Sequence, residues 1–249
     1  MIELVESGVV FNEENHTYFL GDKQLSGITG MIKRQLFPDK YKEVPKYILE
    51  RAADRGTRVH HECQFVDTTG FEPESQEAMN YLLLRTGAGY NALANEYTVS
   101  DGENFASNID CVWEKNETIA LVDVKTTYAL DEEYLAWQLS IYAYFFELLN
   151  PHLKVDALFG VWLYNEKSKL IPLVRKSDVE VKRLLQCEID GTSYLETETA
   201  IEHKKDELQL LPKDVINKYL EAVEEVERIQ PFIDGFKESL KRAMIEHDV

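Results

Sequence analysis

Two β-rich runs, FASNIDCVW at 105–113 and TIALVDVKT at 118–126, flank the polar segment EKNE, and a strongly apolar helical stretch follows at 131–149. Runs of β-branched and aromatic residues around a short polar turn form antiparallel hairpins. Side chains alternate along a strand, so the register of this hairpin decides which of its charged residues meet. With Trp113 set opposite Thr118, Asp110 lies opposite Leu121, and Leu121, Asp123 and Lys125 share one face. Asp110 and Asp123 then become diagonal neighbours, about 7 to 8 Å apart at their backbones. Two carboxylates set among Ile109, Leu121, Val122 and Val124 are costly to bury unpaired. This register therefore calls for a divalent cation or the Lys125 ammonium, with an internal salt bridge as the bland alternative.

The acid-x-Lys triplet carries no weight alone, because Glu180-Val181-Lys182 and Glu202-His203-Lys204 repeat it in helical or charged surroundings. Only Asp123 has a strand setting. Elsewhere the first 25 residues read as short strands, GVVF and HTYFL, and Ser26 to Thr29 lead into a helix ending near Pro38. A second helix over about 44–54 stops at Arg55-Gly56, with Thr57 capping the next helix, which carries His60. Residues 74–85 continue helical, 91–100 and 156–164 read as strands, and helices fill 178–188 and 213–247, the last kinked near Pro231. Strand, hairpin, helix, strand indicates an α/β or α+β chain with a mixed sheet.

Taken in order, Gly56-Thr57-x-x-His60, Glu96, Ile109-Asp110, Asp123-x-Lys125 and Gln138-x-x-x-Tyr142 resemble the PD-(D/E)XK nuclease superfamily, in particular its RecB-like and phage-exonuclease branch. The resemblance covers residues 56–142, and the opening FNEENHTYFLGDKQLSGIT is also similar to phage-type members. It implies a restriction-endonuclease-like α/β/α core with a mixed β-sheet, plus N-terminal β elements and C-terminal helices. The expected organisation is a single nuclease domain over 1–249: N-terminal strands and helices to 55, a catalytic core over 56–175 and a helical extension over 176–249.

On matching positions the resemblance makes Asp110 and Asp123 ligands of Mg²⁺ or Mn²⁺, hard cations that prefer oxygen donors, with the Val124 carbonyl completing the protein's share of the shell. Lys125 would orient and activate water, His60 would approach the metal, and Glu96 matches an acidic position on the first core strand. Gln138 and Tyr142, four apart on one helical stripe, would buttress the ligands or position substrate. Asn108 stands where a glycine is common, and Leu121 or Val122 replaces the motif proline. Related nucleases hold an iron-sulfur cluster on four cysteines; with only Cys63, Cys111 and Cys187, no cluster is expected.

Composition argues against a generic nucleic-acid binder, since the net charge is -18 and phosphate affinity comes largely from lysine and arginine. The charge is uneven, however. Residues 31–58 hold eight basic groups against four acids, and Arg51, Arg55 and Arg58 approach the His60 helix, which makes them candidates for DNA contact. Residues 186–249 hold 16 acids against eight lysines and arginines. The absence of a basic-then-apolar leader and of any apolar run near about 18 residues points to a cytoplasmic protein with no membrane contact. The expected activity is divalent-metal-dependent hydrolysis of DNA phosphodiester bonds, as a phage-type exonuclease in recombination or end processing. Homo-oligomerisation and a recombination partner are left open. The other readings are a non-catalytic nuclease-fold binding protein or DNA-mimicking inhibitor, and a structure-selective endonuclease or repair-complex subunit.

Overall fold

In the computed structural model of the chain, residues 2–13, 15–40 and 42–199 are described, together with 218, 222 and 229. The chain divides into two units, Met1–Tyr194 and Leu195–Val249. The helix expected over 213–247 with its kink at Pro231 falls outside the described residues, the three isolated positions excepted.

The first unit opens on β1 (Val10–Asn12), β2 (Thr17–Leu20) and β3 (Lys23–Gly27), followed by α1 (Ile28–Leu36), α2 (Lys46–Thr69) and α3 (Gln76–Gly87). Then come β4 (Asn91–Ser100), β5 (Phe105–Lys115), β6 (Thr118–Lys125), α4 (Glu132–Leu149), β7 (Val155–Tyr164), β8 (Lys167–Leu173) and α5 (Asp178–Asp190). The sheet runs β1-β2-β3-β5-β6-β7-β8, with β4 pairing β5 as well. It is mixed: β3 with β5 and β6 with β7 are parallel, and the other pairs are antiparallel. This is a mixed α/β fold with N-terminal strands.

Three local expectations change. The hairpin pairs Lys115 with Thr118, and the register continues to Cys111 opposite Val122, two residues away from the pairing expected. Asn116 and Glu117 take positive φ values of 50° and 68°, giving a two-residue turn whose twist suits paired strands better than the four-residue turn read from EKNE. A shift of two preserves the alternation, so the paired residues 111–115 and 118–122 keep their faces. Second, α2 passes through Arg55-Gly56-Thr57 without a break. One interior glycine costs a helix only about 1 kcal/mol, and Gly56 here lies against Thr126 just past the end of β6. Third, β3 and β8 were not anticipated. β3 slots between β2 and β5, and β8 tolerates Pro172 because it is the last strand of its edge.

Helices cover both faces. Ile119 and Leu121 of β6 pack with α1, α4 and α5, whereas Ala120, Val122 and Val124 pack with α2 and α3. α4 has only Tyr144, Glu147 and Leu148 beyond full burial among residues 134–148, because it lies between the sheet and other helices. The N-caps follow from sequence: Asp131 accepts from Tyr134 N–H, and Ser177 with Glu180 forms a capping box at α5.

At one point the alternation fails. Ile109 packs on the α4 side and Cys111, two residues on, packs on the α2 side, although strict alternation would put both on one face. β4 does the same, with Tyr97 against the α4-side core and Asn95 donating to Asp67 of α2. Between them Glu96 has φ 49°, a left-handed backbone that costs a non-glycine residue about 1–3 kcal/mol. The change of face therefore centres on Glu96 and Asp110.

Gly160, opposite Asp123 in the parallel β6–β7 register, lets α4 settle onto the sheet: a Cβ there would lie 2.7 Å from Leu135 Cδ2 and 3.2 Å from Leu130 Cδ2. Leu135 is buried and has little room to yield. Gly160→Val is expected to destabilise the protein by about 1–3 kcal/mol and Gly160→Ala by less, read from urea unfolding midpoints. A valine variant as stable as the parent would contradict the close approach.

Candidate metal centre

β5 follows β6 only as far as Cys111, and continuing the same register by one residue would set Asp110 opposite Asp123. The two carboxylates are thus direct neighbours rather than the diagonal ones expected. Past Cys111 the ladder gives way to a side chain, since Val124 N–H donates to Asp110 Oδ2 at 2.8 Å. That bond tethers the Asp110 carboxylate to the end of β6.

α2 brings His60 to the same place. Its Nε2 lies 2.7 Å from the Val124 carbonyl, which can only accept, so Nε2 carries a proton, and its Nδ1 lies 3.4 Å from Asp110 Oδ2. A ring N–H bonded to a backbone carbonyl is the usual way a metal-binding histidine is oriented. The Val124 carbonyl, expected as a ligand, here serves as that orienting acceptor. The left-handed Glu96 completes the group: one ligand atom each from His60, Glu96 and Asp110 lie within 4.8 Å of one another. These three residues can hold a metal ion. They line a small recess with Cys63, Asn95 and Cys111.

Asp123 stands beside this group on the α4 side and is fully buried. Its Oδ1 accepts from Gln138 Nε2 at 2.8 Å, and its Oδ2 lies 2.5 Å from Lys125 Nζ without hydrogen-bond alignment, leaving that oxygen otherwise unpartnered. Gln138 in turn donates to Tyr142 Oη at 2.9 Å, and Ser107 donates to the same oxygen at 2.7 Å. The helical stripe read from the sequence therefore reaches the site. Two residues went unnoticed there, Ser107 and Tyr18, whose hydroxyl bonds Ser107 and the backbone of Asn108, a residue noted only as standing in place of a glycine. Asn108 approaches Glu96 Oε2 at 3.5 Å. No local pattern marks them, because their partners come from β2, β4 and α4.

The electrostatics match a centre short of positive charge. Burial and then the Asp110 charge push Glu96 up to about 7, with His60 pulling the other way; the residue is exposed, but its carboxyl turns inward towards both. Burial and Asp110 likewise hold Asp123 above the ordinary carboxylate range despite Lys125. For Lys125, burial opposes the charge, but Asp123 and Asp110 outweigh it and raise its pKa. The His60 ring nitrogen and the Glu96 and Asp110 carboxylates, with Asp123 beside them, could hold a hard divalent cation.

The arginine candidates differ in their partners. Arg55 pairs with Glu77, and Arg58 pairs with Glu62 and approaches Glu77. Arg51 is exposed and makes no ion pair among the described residues. Among the described residues no helix is long and apolar enough to cross a membrane.

No family model matches the chain, and no curated protein matches it in sequence. One solved structure similar to it is described as "Crystal structure of SSO0001", with 12% identity over 69% of this chain and 77% of that one at a TM-score of 0.41. A likeness that slight carries no argument.

Carboxyls whose folded pKa is raised stabilise the fold fully below the unfolded value, about 4, and lose that contribution as pH rises through about 7. The metal-free protein is expected to melt at a lower temperature at about pH 7.5 than at about pH 5. Mn²⁺ should raise the melting temperature, more at the higher pH because cation and protons compete, and Asp110→Ala should abolish that gain. No Mn²⁺ effect at either pH would dismiss the centre.

Proposed function

We propose that this protein is a divalent-metal-dependent DNA nuclease with a PD-(D/E)XK-type site on a restriction-endonuclease-like α/β/α core, acting on strand ends in recombination or end processing as RecB-like and phage exonucleases do. The observation that carries the reading is the convergence of His60, Glu96 and Asp110 on one point, with Asp123 and Lys125 beside them on the neighbouring strand. Mg²⁺ or Mn²⁺, when bound, supplies Lewis-acid polarisation of a phosphoryl oxygen and makes water more acidic.

The chain's own residues then divide the work. Asp110, Glu96 and His60 would hold the cation, with Asp110 kept in place by Val124 N–H and His60 by the Val124 carbonyl. Gln138, steadied by Tyr142 and Ser107, fixes the plane of the Asp123 carboxylate. The Lys125 ammonium, 28% exposed at its side chain, would point its remaining protons towards substrate, where it can orient water and offset the negative charge that grows as phosphorus is attacked.

The net charge of -18 favours one other reading, a non-catalytic DNA-mimicking inhibitor built on the same scaffold. End-labelled linear DNA separates the two. Nuclease action predicts product release with Mg²⁺ or Mn²⁺, none with EDTA, and little cutting of covalently closed circles. Lys125→Ala should slow cleavage about 10²- to 10³-fold, and Asp123→Asn at least as much. Cleavage indifferent to both substitutions would discard this site, and no cleavage with either metal would favour the mimic.

A further inference from the structure

The segment 126–131 between β6 and α4 carries Tyr128 into solvent, with 81% of the residue exposed. Lone exposed aromatics are common, but this one is not alone. Its ring meets Tyr164 edge-on, with centroids 5.6 Å apart at 86°, and Tyr164 lies nearly parallel to Trp162 at 6.2 Å and 11°. The Arg55 guanidinium sits 5.0 Å from the Tyr164 ring centroid. The Trp162 indole N–H donates to the Thr127 carbonyl at 2.8 Å, tying the segment to β7.

The position of this cluster gives it meaning. Trp162 is the register partner of Lys125 across the parallel β6–β7 pair, so the rings begin one strand away from the metal centre, where β6 and β7 end. Beside them opens a cavity of about 270 Å³ lined by Tyr128, Lys40 and Lys125. Lys40 pairs with Asp131 and lies over the Tyr134 ring, yet burial together with the charges of Lys40 and Lys125 still depresses Lys33 nearby. Cations and aromatic rings thus meet here in a chain of net charge -18. An apolar peptide would have no use for the lysines, and a paired duplex would hide its base faces. Flat π-faces linked at short intervals by anions, as in an unpaired nucleic-acid strand, match both.

We infer that Tyr128, Tyr164 and Trp162 form a stacking platform for the unpaired bases next to the scissile phosphate, with Lys40 and Lys125 meeting the adjoining backbone. The protein then takes single strands or frayed ends in preference to closed duplex. This rests on the nuclease reading, and it adds a substrate class and residues for selecting it.

The test compares binding of the full chain in EDTA to a fluorescent oligothymidylate and to its abasic counterpart of equal length, followed by cleavage of both single strands and blunt duplex in Mg²⁺. Wild type should bind the base-bearing strand about tenfold more tightly than the abasic one, a typical contribution of one stacking aromatic. Tyr128→Ala should erase most of that difference and raise KM for the single strand without a matching fall in kcat. Tyr128→Phe, which keeps the ring, should restore both; the exposed side chain makes a folding defect an unlikely confounder, and a melting curve checks it. Equal affinity for abasic and base-bearing strands, or a Tyr128→Ala protein with unchanged KM, would overturn the platform while leaving cleavage intact. Base-dependent binding that needs the Tyr128 ring but comes with no cleavage in either metal would uphold the platform and refute the nuclease.

Discussion

A strand side chain normally serves one side of its sheet, and the change of face at Glu96 and Asp110 suspends that rule where the candidate site needs it. His60 comes from the helical layer on one side, and Asp123, held by Gln138, belongs to the layer on the other. Asp110 can neighbour both only because β5 turns over between Ile109 and Cys111 as it leaves β6. The left-handed backbone of Glu96 is the local strain that accompanies this turn, and the same conformation aims its carboxylate at Asp110. One irregularity in two paired strands thus collects the donors.

That collection makes the charge balance of the region what it is. Glu96, Asp110 and Asp123 crowd together against a single ammonium, and burial followed by the Asp110 charge raises the pKa of Glu96 and Asp123. Asp123 would be hard to keep in the interior without Lys125 and Gln138. The chain from Gln138 through Tyr142 to Ser107 holds the second of these supports in place, although Gln138 Oε1 itself lacks a partner. A cation would complete an arrangement that the protein has otherwise only partly neutralised.

The aromatic cluster follows from the same strand ends. β6 stops at Lys125, and the chain must travel from there to the N-cap of α4 at Asp131; that short passage carries Tyr128 and closes on β7 through Trp162. Lys125 is therefore shared, touching Asp123 on one side and lining the aromatic cavity on the other. Chemistry and substrate selection would then be joined through one residue.

Much was legible beforehand. Period-two runs, the polar turn, the 131–149 helix and the i, i+4 pairing of Gln138 with Tyr142 are local signals, and they placed the hairpin, the helix between strands and the stripe that reaches the site. Even the register, misplaced by two, left the faces right because alternation has period two. What local signals could not supply was anything set by contact at a distance. β3 and β8 are short and carry lysine, serine or proline, so only their neighbours make them strands. That Arg55 and Arg58 share Glu77 of α3 as an ion-pair partner had no signal in the sequence either. The amino-acid order determined which chemical groups exist and which share a strand or helix face, because backbone geometry makes that periodic. The tertiary structure alone decided that Val124 orients His60, that Glu96 turns inward and that Tyr18 and Ser107 stand behind the site, because each depends on backbone from elements far apart in the chain.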